Sequence, residues 1–210
     1  HIDVKTASQR EIIVTHTPDM MTEEVADTAI CLLMNVTRRY MEGDIFVRIG
    51  RWPNGSVPVG QTQRGKNVGI VGLGNIGRAF AKRAGAFGMN VIYTSRSEKE
   101  DVTYPYYPNV ESLAEASDYL VLTCTGGSET NNIIDHKVLR ALGEKGYLIN
   151  VSRGSVVDEP ALIKALQQGL IAGAGLDVYE NEPHVPEELI KMDNVVLLPH
   201  MGAATEDVYR

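Results

Sequence analysis

Three polar groups with complementary chemistry stand at the ends of apolar runs in the second half of the chain. Arg153 follows Tyr147-Leu148-Ile149-Asn150-Val151-Ser152, Glu182 lies beyond Ala172-Gly173-Ala174-Gly175-Leu176-Asp177, and His200 follows Val195-Val196-Leu197-Leu198-Pro199. Arginine offers a permanently charged fork of donors that suits a carboxylate. Histidine exchanges a proton near neutral pH, and a carboxylate beside it favours its charged form. Each also has a plain structural role: an ion-paired arginine, a loop glutamate, a strand-end histidine. Joint chemistry requires a fold that brings the three run ends to one place.

A fourth stretch points to a dinucleotide. Val68-Gly69-Ile70-Val71 runs into Gly72-Leu73-Gly74-Asn75-Ile76-Gly77, and Arg78-Ala79-Phe80-Ala81-Lys82-Arg83-Ala84 continues with helix-forming residues. Glycines serve such a turn where the backbone bends, where it approaches a pyrophosphate and where the helix packs on the strand. The first amides of the helix then face the phosphates. A GxGxxG sequence alone also occurs in plain bends and other nucleotide sites; a strand before it and a helix after it are the context the dinucleotide reading needs.

The next apolar run, Asn90-Val91-Ile92-Tyr93-Thr94, ends in Ser95-Arg96-Ser97, and no Asp or Glu occurs from Gly60 through Ser97. An acid at that strand end takes the ribose hydroxyls of NAD, whereas an arginine between two hydroxyls suits a 2′-phosphate. NADP(H) is therefore the expected cofactor, with NAD(H) as the alternative if Arg96 is only a solvated loop residue.

The elements that must position these groups follow from the hydrophobic pattern. Strands are expected at 68–72, 90–95, 119–124, 146–151, 172–178 and 194–198. Helical segments follow Gly74 and lie near Val110–Ala116, His136–Ala141, Asp158–Gln168 and Glu187–Lys191. Strands alternating with helices predict an α/β fold, a doubly wound parallel sheet of the Rossmann type, with ligands at the carboxyl ends of the strands. Upstream, a strand is expected at Glu11–Thr15, ending at Thr17-Pro18. Capping residues at Asp19–Thr22 and a long helix to about Met41 follow, with Val25, Ala29, Leu32, Leu33 and Val36 along one face. From Gly43 to Gln63 the pattern is irregular and carries the single tryptophan, Trp52. His16 carries no assignment, His136 opens an exposed helix, and the tyrosines of Tyr104–Pro108 are expected to cover the sheet edge.

Composition narrows the classes further. At 210 residues and 43% hydrophobic, the chain can bury a full core. A net charge of −7 with no basic cluster argues against nucleic acid and anionic membrane as partners. No apolar run approaches membrane-spanning length and no signal peptide opens the chain, so a cytoplasmic location is expected. Cys31 and Cys124 lie in apolar segments without CxxC or His-rich spacing, so neither a disulfide nor a metal site is expected.

Gly72-Leu-Gly-Asn-Ile-Gly77, Asn150-Val-Ser-Arg153-Gly-Ser-Val-Val-Asp158-Glu159, Gly173-Ala-Gly-Leu-Asp177-Val-Tyr-Glu-Asn-Glu182-Pro183 and Leu198-Pro-His200 together resemble the signature blocks of the D-isomer-specific 2-hydroxyacid dehydrogenases, and within them the NADPH-preferring glyoxylate/hydroxypyruvate reductases. The resemblance implies reduction of a small 2-ketoacid to the D-2-hydroxyacid by hydride transfer from NADPH. Arg153 would bind the substrate carboxylate and polarise the keto oxygen, His200 would be the general acid, and Glu182 would orient it. Leu73, Gly74, Asn75, Ile76, Ser95, Arg96, Ser97, Cys124, Thr125, Val151, Ser152, Arg153, Asp177, His200, Gly202 and Ala203 would surround the cofactor, with Asp177 on the carboxamide.

The resemblance further implies a homodimer built through Thr22–Met41 and the loop beyond, with Trp52 reaching toward the neighbouring active site. Residues 1–18 would be the remnant of a flavodoxin-like substrate domain with its hinge, 19–200 the dinucleotide-binding domain with a dimerisation segment at about 22–60, and 201–210 the start of a return linker. The chain departs from many relatives at Thr125-Gly126-Gly127, where they carry a Pro-Leu pair. Because some relatives keep this fold and triad yet act as corepressors, a dinucleotide-sensing binding protein with little turnover is the alternative function. An S-adenosylmethionine methyltransferase would use the same glycine turn but leaves Arg153, Glu182 and His200 without a role.

Overall fold

Six short apolar runs become strands, and all six pair in parallel. A computed structural model describes residues 2–15 and 20–208. Its strands are β1 (Asn67–Val71), β2 (Asn90–Thr94), β3 (Tyr119–Leu122), β4 (Tyr147–Asn150), β5 (Gly173–Leu176) and β6 (Val195–Leu197), in the order β2-β1-β3-β4-β5-β6. A parallel sheet covered by helices on both faces needs strands that are apolar on both sides. β3 shows why the sequence complies: all four of its residues are buried. Tyr119 and Val121 enter one core layer and Leu120 and Leu122 the other.

The first layer lies under α2 (Thr22–Arg38) and α4 (Asn75–Ala86), the second under α5 (Val110–Glu115), α6 (His136–Leu142) and α7 (Glu159–Gln167). Each leucine fully buried between them contributes about 1.5–3 kcal/mol. Arg83 of α4 ties that helix to α2 through Asp27 (2.5 Å) and Glu23 (2.7 Å).

Register fixes where function can gather. Val71 stands level with Thr94 and Leu122, Leu122 with Asn150, Asn150 with Leu176, and Leu176 with Leu197. The segments that follow, beginning at Gly72, Ser95, Thr123, Val151, Asp177 and Leu198, therefore leave the sheet along one edge. From β1 the chain turns to β2 on one side and then crosses to β3 on the other, which opens a crevice between their carboxyl ends.

Beyond β2, Tyr106 makes a single parallel bridge to Tyr93, with Tyr93 N–H donating to Pro105 O (3.0 Å) and Tyr107 N–H to Tyr93 O (2.8 Å). The tyrosine-rich stretch covers this sheet edge as its composition suggested. His136 is exposed at the start of α6.

Three expectations are corrected upstream. The β-branched run at Glu11–Thr15 is no strand. The chain forms α1 (Val4–Gln9) because Asp3 caps it, accepting from Thr6 N–H (2.9 Å), and Ile12 N–H then closes the turn on Ala7 O (2.9 Å). Among the described residues no strand lies beside it, so the run stays unpaired, and Ile13 is 88% exposed. The long helix stops at Arg38 because Arg39 takes a left-handed conformation (φ 57°), and α3 (Tyr40–Arg48) occupies part of the stretch expected to be irregular. Arg39–Glu42 and Arg48–Asp44 ion pairs support that shorter helix. Its N-terminal neighbour α2 begins without a side-chain cap, Thr22 being its first residue.

The expected features at His16, Thr17, Pro18, Asp19 and Arg210 lie outside the described residues. Trp52 sits in a single 3-10 turn and is 69% exposed. Among the described residues, no helix is long and apolar enough to cross a membrane, and no cluster of His, Cys, Asp and Glu could hold a metal ion.

Candidate active site and cofactor cleft

The glycine turn is shaped by steric necessity. Gly72 has φ 97°, and a Cβ there would lie 2.6 Å from Cys124 Cα. At Gly77 a Cβ would lie 2.3 Å from Gly72 O, so only glycine lets α4 pack so close to β1. Thr123 Oγ donates to Gly72 O (2.7 Å) and fixes the turn from the neighbouring strand. In front of Gly74 the space is open, with nothing within 4 Å of an added Cβ, and the N-terminus of α4 faces it. This is a cradle for an anionic group at a helix terminus.

The cradle opens on a cleft of about 770 Å³ over the β1–β3 crevice. Leu73, Gly74, Ser95, Arg96, Ser97, Cys124 and Thr125 line it, and Asn75 and Ile76 start the helix beside it. Sequence reasoning missed the opposite wall, Pro108–Val110 with Glu129, Thr130 and Ile133, and also missed Lys99. The volume and lining fit a dinucleotide. Thr125–Gly127 runs against the Arg153 stem, where a Cβ on Gly126 would lie 2.7 Å from Arg153 Cγ. Burial pushes the Cys124 thiol up, against its own backbone and a hydrogen bond with Ser152, so this cysteine is a poor nucleophile.

A second group gathers beside the cleft at the ends of β4, β5 and β6. Asn150, 1% exposed, organises the first of these turns: its Oδ1 accepts from Ser152 N–H (3.0 Å) and Oγ–H (2.8 Å), and its Nδ2 donates to Arg153 O (3.1 Å). Sequence reasoning missed this role, for which the signal is an amide closing the apolar run Tyr147-Leu148-Ile149. The turn presents Arg153 outward, its Nη1 donating to Ser152 O (2.6 Å). Val151 and Ser152 behind it are buried.

Glu182 and His200 meet: Nδ1 of the imidazole lies 2.6 Å from Glu182 Oε2, and Oε1 accepts from Tyr179 N–H (3.1 Å). Partial burial is the largest single influence on the Glu182 carboxyl and pushes it up. The His200 hydrogen bond, the Tyr179 amide and the charges of His200 and Arg153 together outweigh it and hold the carboxyl below its ordinary range. Tyr179 Oη also donates to Leu198 O (2.8 Å), which joins the two loops again.

Asp177 is 2% exposed, and its two oxygens accept from Met201 N–H and Gly202 N–H, both at 2.8 Å. Burial raises its carboxyl, against those two amides and the charge of His200. The pair of amides fixes the turn in which His200 adopts φ 51°. Such a backbone costs about 1–3 kcal/mol, and the surrounding contacts hold it. Thr28 of α2 adds a bond to Gly202 O (3.1 Å), a contact across 174 residues that no local pattern announces. Ala203 follows, partly buried.

Residues 30–202 match the family model described as D-isomer specific 2-hydroxyacid dehydrogenase, NAD binding domain. A glyoxylate/hydroxypyruvate reductase A of Arabidopsis thaliana is 52% identical over 204 residues, 97% of this chain and 65% of that protein. A glyoxylate reductase of Thermococcus litoralis is 47% identical over 216 residues, again covered to 65%. The crystal structure of an NADPH-dependent glyoxylate/hydroxypyruvate reductase from Sinorhizobium meliloti, in complex with NADP and malonate, superposes with a TM-score of 0.95 at 49% identity, covering 99% of this chain and 66% of that one. The chain thus spans just under two thirds of the curated relatives it matches. With a six-stranded parallel sheet, a glycine-turn cleft and this match over most of its length, the chain belongs to the D-isomer specific 2-hydroxyacid dehydrogenases, whose NAD(P)-binding domain it carries.

Proposed function

We propose that the full-length protein reduces a small 2-ketoacid such as glyoxylate or hydroxypyruvate to the D-2-hydroxyacid, using NADPH in preference to NADH. The observation that carries this reading is the His200–Glu182 pair at 2.6 Å, whose carboxylate senses the charge of Arg153, on strand ends of the same sheet edge that carries the dinucleotide cleft. Bound NADPH supplies the hydride to the carbonyl carbon. Arg153, exposed and permanently charged, binds the substrate carboxylate and draws electron density onto the keto oxygen. His200 gives that oxygen its proton, and Glu182 holds the ring in place for the transfer. Asp177 positions the His200 turn, and with Val151, Ser152, Gly202 and Ala203 forms the nicotinamide end of the site.

NADPH preference is supported by Ser95-Arg96-Ser97 at the end of β2, and by the NADPH dependence of the Sinorhizobium relative. A homodimer is supported by α3, which buries none of its residues and leaves Tyr40, Met41, Ile45 and Val47 exposed, and by exposed Trp52.

Initial rates of the full-length protein with glyoxylate and hydroxypyruvate, NADPH against NADH, test the reading, with Arg96→Ala alongside. Strong NADPH preference that collapses in the variant is expected. Turnover with NADH alone would reject the cofactor assignment, and no turnover with either would reject the reductase.

A further inference from the structure

We propose that Lys99 is a second cationic arm of the cofactor site, closing with Arg96 on the phosphomonoester at the ribose 2′ position. The inference rests on the NADPH reading above and names a residue that reading does not contain.

The loop after β2 is folded back on itself. Ser95 Oγ donates to Ser97 O (2.6 Å), and Lys99 N–H donates to the hydroxyl of Tyr93 (2.7 Å). Tyr93 is fully buried in β2, so this bond fixes the Lys99 backbone to the sheet itself. Arg96, Ser97 and Lys99 all line the same cleft. Arg96, Ser97, Glu98 and Glu100 are exposed, whereas Lys99 is half-buried against the cleft wall.

Charge around the loop leaves this ammonium available. Asp101, the acid that senses it, is paired with Arg78 at 2.9 Å. Its carboxyl is held low first by that Arg78 hydrogen bond, and the Lys99 charge is the weakest of its influences. Among the described residues Lys99 enters no ion pair; neither Glu98 nor Glu100 lines the cleft, and Glu129, the acid that does line it, forms no ion pair with Lys99. A guanidinium fork and a point-charge ammonium approaching from one short loop are the donor set a dianionic phosphate takes. The 3′-side hydroxyls of an unphosphorylated ribose would engage neither cation strongly.

The test is calorimetric binding of adenosine 2′,5′-bisphosphate and of 5′-AMP to the full-length protein, with Lys99→Gln, Lys99→Arg and Arg96→Gln. Lys99→Gln should weaken the bisphosphate about tenfold, the worth of one charge-assisted hydrogen bond, and leave 5′-AMP within about twofold. Lys99→Arg should restore most of the loss. An unchanged bisphosphate affinity in Lys99→Gln, with a loss in Arg96→Gln, overturns the Lys99 assignment and leaves the NADPH reading standing. Equal loss of both nucleotides in Lys99→Gln overturns it as well, since it marks a disturbed loop. A wild-type chain that does not prefer the bisphosphate overturns both.

Discussion

Gly154 lies so close to the Tyr179 carbonyl that a Cβ built on it would stand 1.9 Å from both the carbon and the oxygen. The contact welds the turn carrying Arg153 to the loop carrying Glu182. Glu159 reinforces it from α7, accepting from Glu180 N–H (3.2 Å). Arg153 and the loop carrying Glu182 are thereby held on one unit.

Gly154→Ala should accordingly cost about 2–3 kcal/mol or more of stability, since the obstacle is backbone with no rotamer to yield. Urea unfolding of the chain measures this. A variant as stable as wild type would show that the two segments can separate without penalty.

His200→Ala in the full-length protein should lower kcat about 10²- to 10⁴-fold while cofactor affinity stays near wild type. Glu182→Gln keeps the shape of the side chain but removes its charge, and an intermediate loss is expected. Steady-state kinetics with nucleotide binding measured in parallel separate the two effects. A loss below about tenfold in His200→Ala would remove the general-acid role.

Asp177→Ala leaves the buried Gly202 amide and the Met201 amide without their acceptor and frees the strained His200 turn. A stability loss of about 2–6 kcal/mol is expected, from two amides at roughly 1–3 kcal/mol each. Catalysis should fall with it. Thermal unfolding together with kcat checks both; full activity would mean that His200 needs no such support.

The pH dependence of stability follows from the carboxyls. Glu182 is held below its ordinary 4.5, so it stabilises the fold above that value and loses this contribution as pH falls through the lowered native value. Asp177 works in the opposite sense: burial raises it above 3.8, so its contribution is present below 3.8 and is lost as pH rises through the raised native value. Subtracting the stability curve of Glu182→Gln from that of wild type isolates the first effect. The difference should shrink as pH falls below 4.5. A difference that grows on acidification would contradict the geometry.

Much of this molecule was legible from its residues. The glycine spacing at 72–77 dictates its turn because two of those positions admit no side chain, and the six apolar runs could satisfy both faces only in a covered parallel sheet. Arg153, Glu182 and His200 stood out because each is polar where an apolar run stops. Local pattern failed where long-range contact decides. The run at Ile12–Val14 has strand composition but no strand beside it, and a strand is stable only when paired. The break at Arg39 required a left-handed backbone at a residue type that seldom adopts one.

The sequence by itself determined the fold class and the glycine turn, because these depend on local sterics and on periodicity. Only the tertiary structure decided that Glu182 meets His200 at 2.6 Å, that Asp177 spends both oxygens on the His200 turn, and that Lys99 lies in the cleft beside Arg96. Those relations join residues far apart in the chain or turned by a loop, and strand register and loop closure, which no local spacing encodes, set their distances.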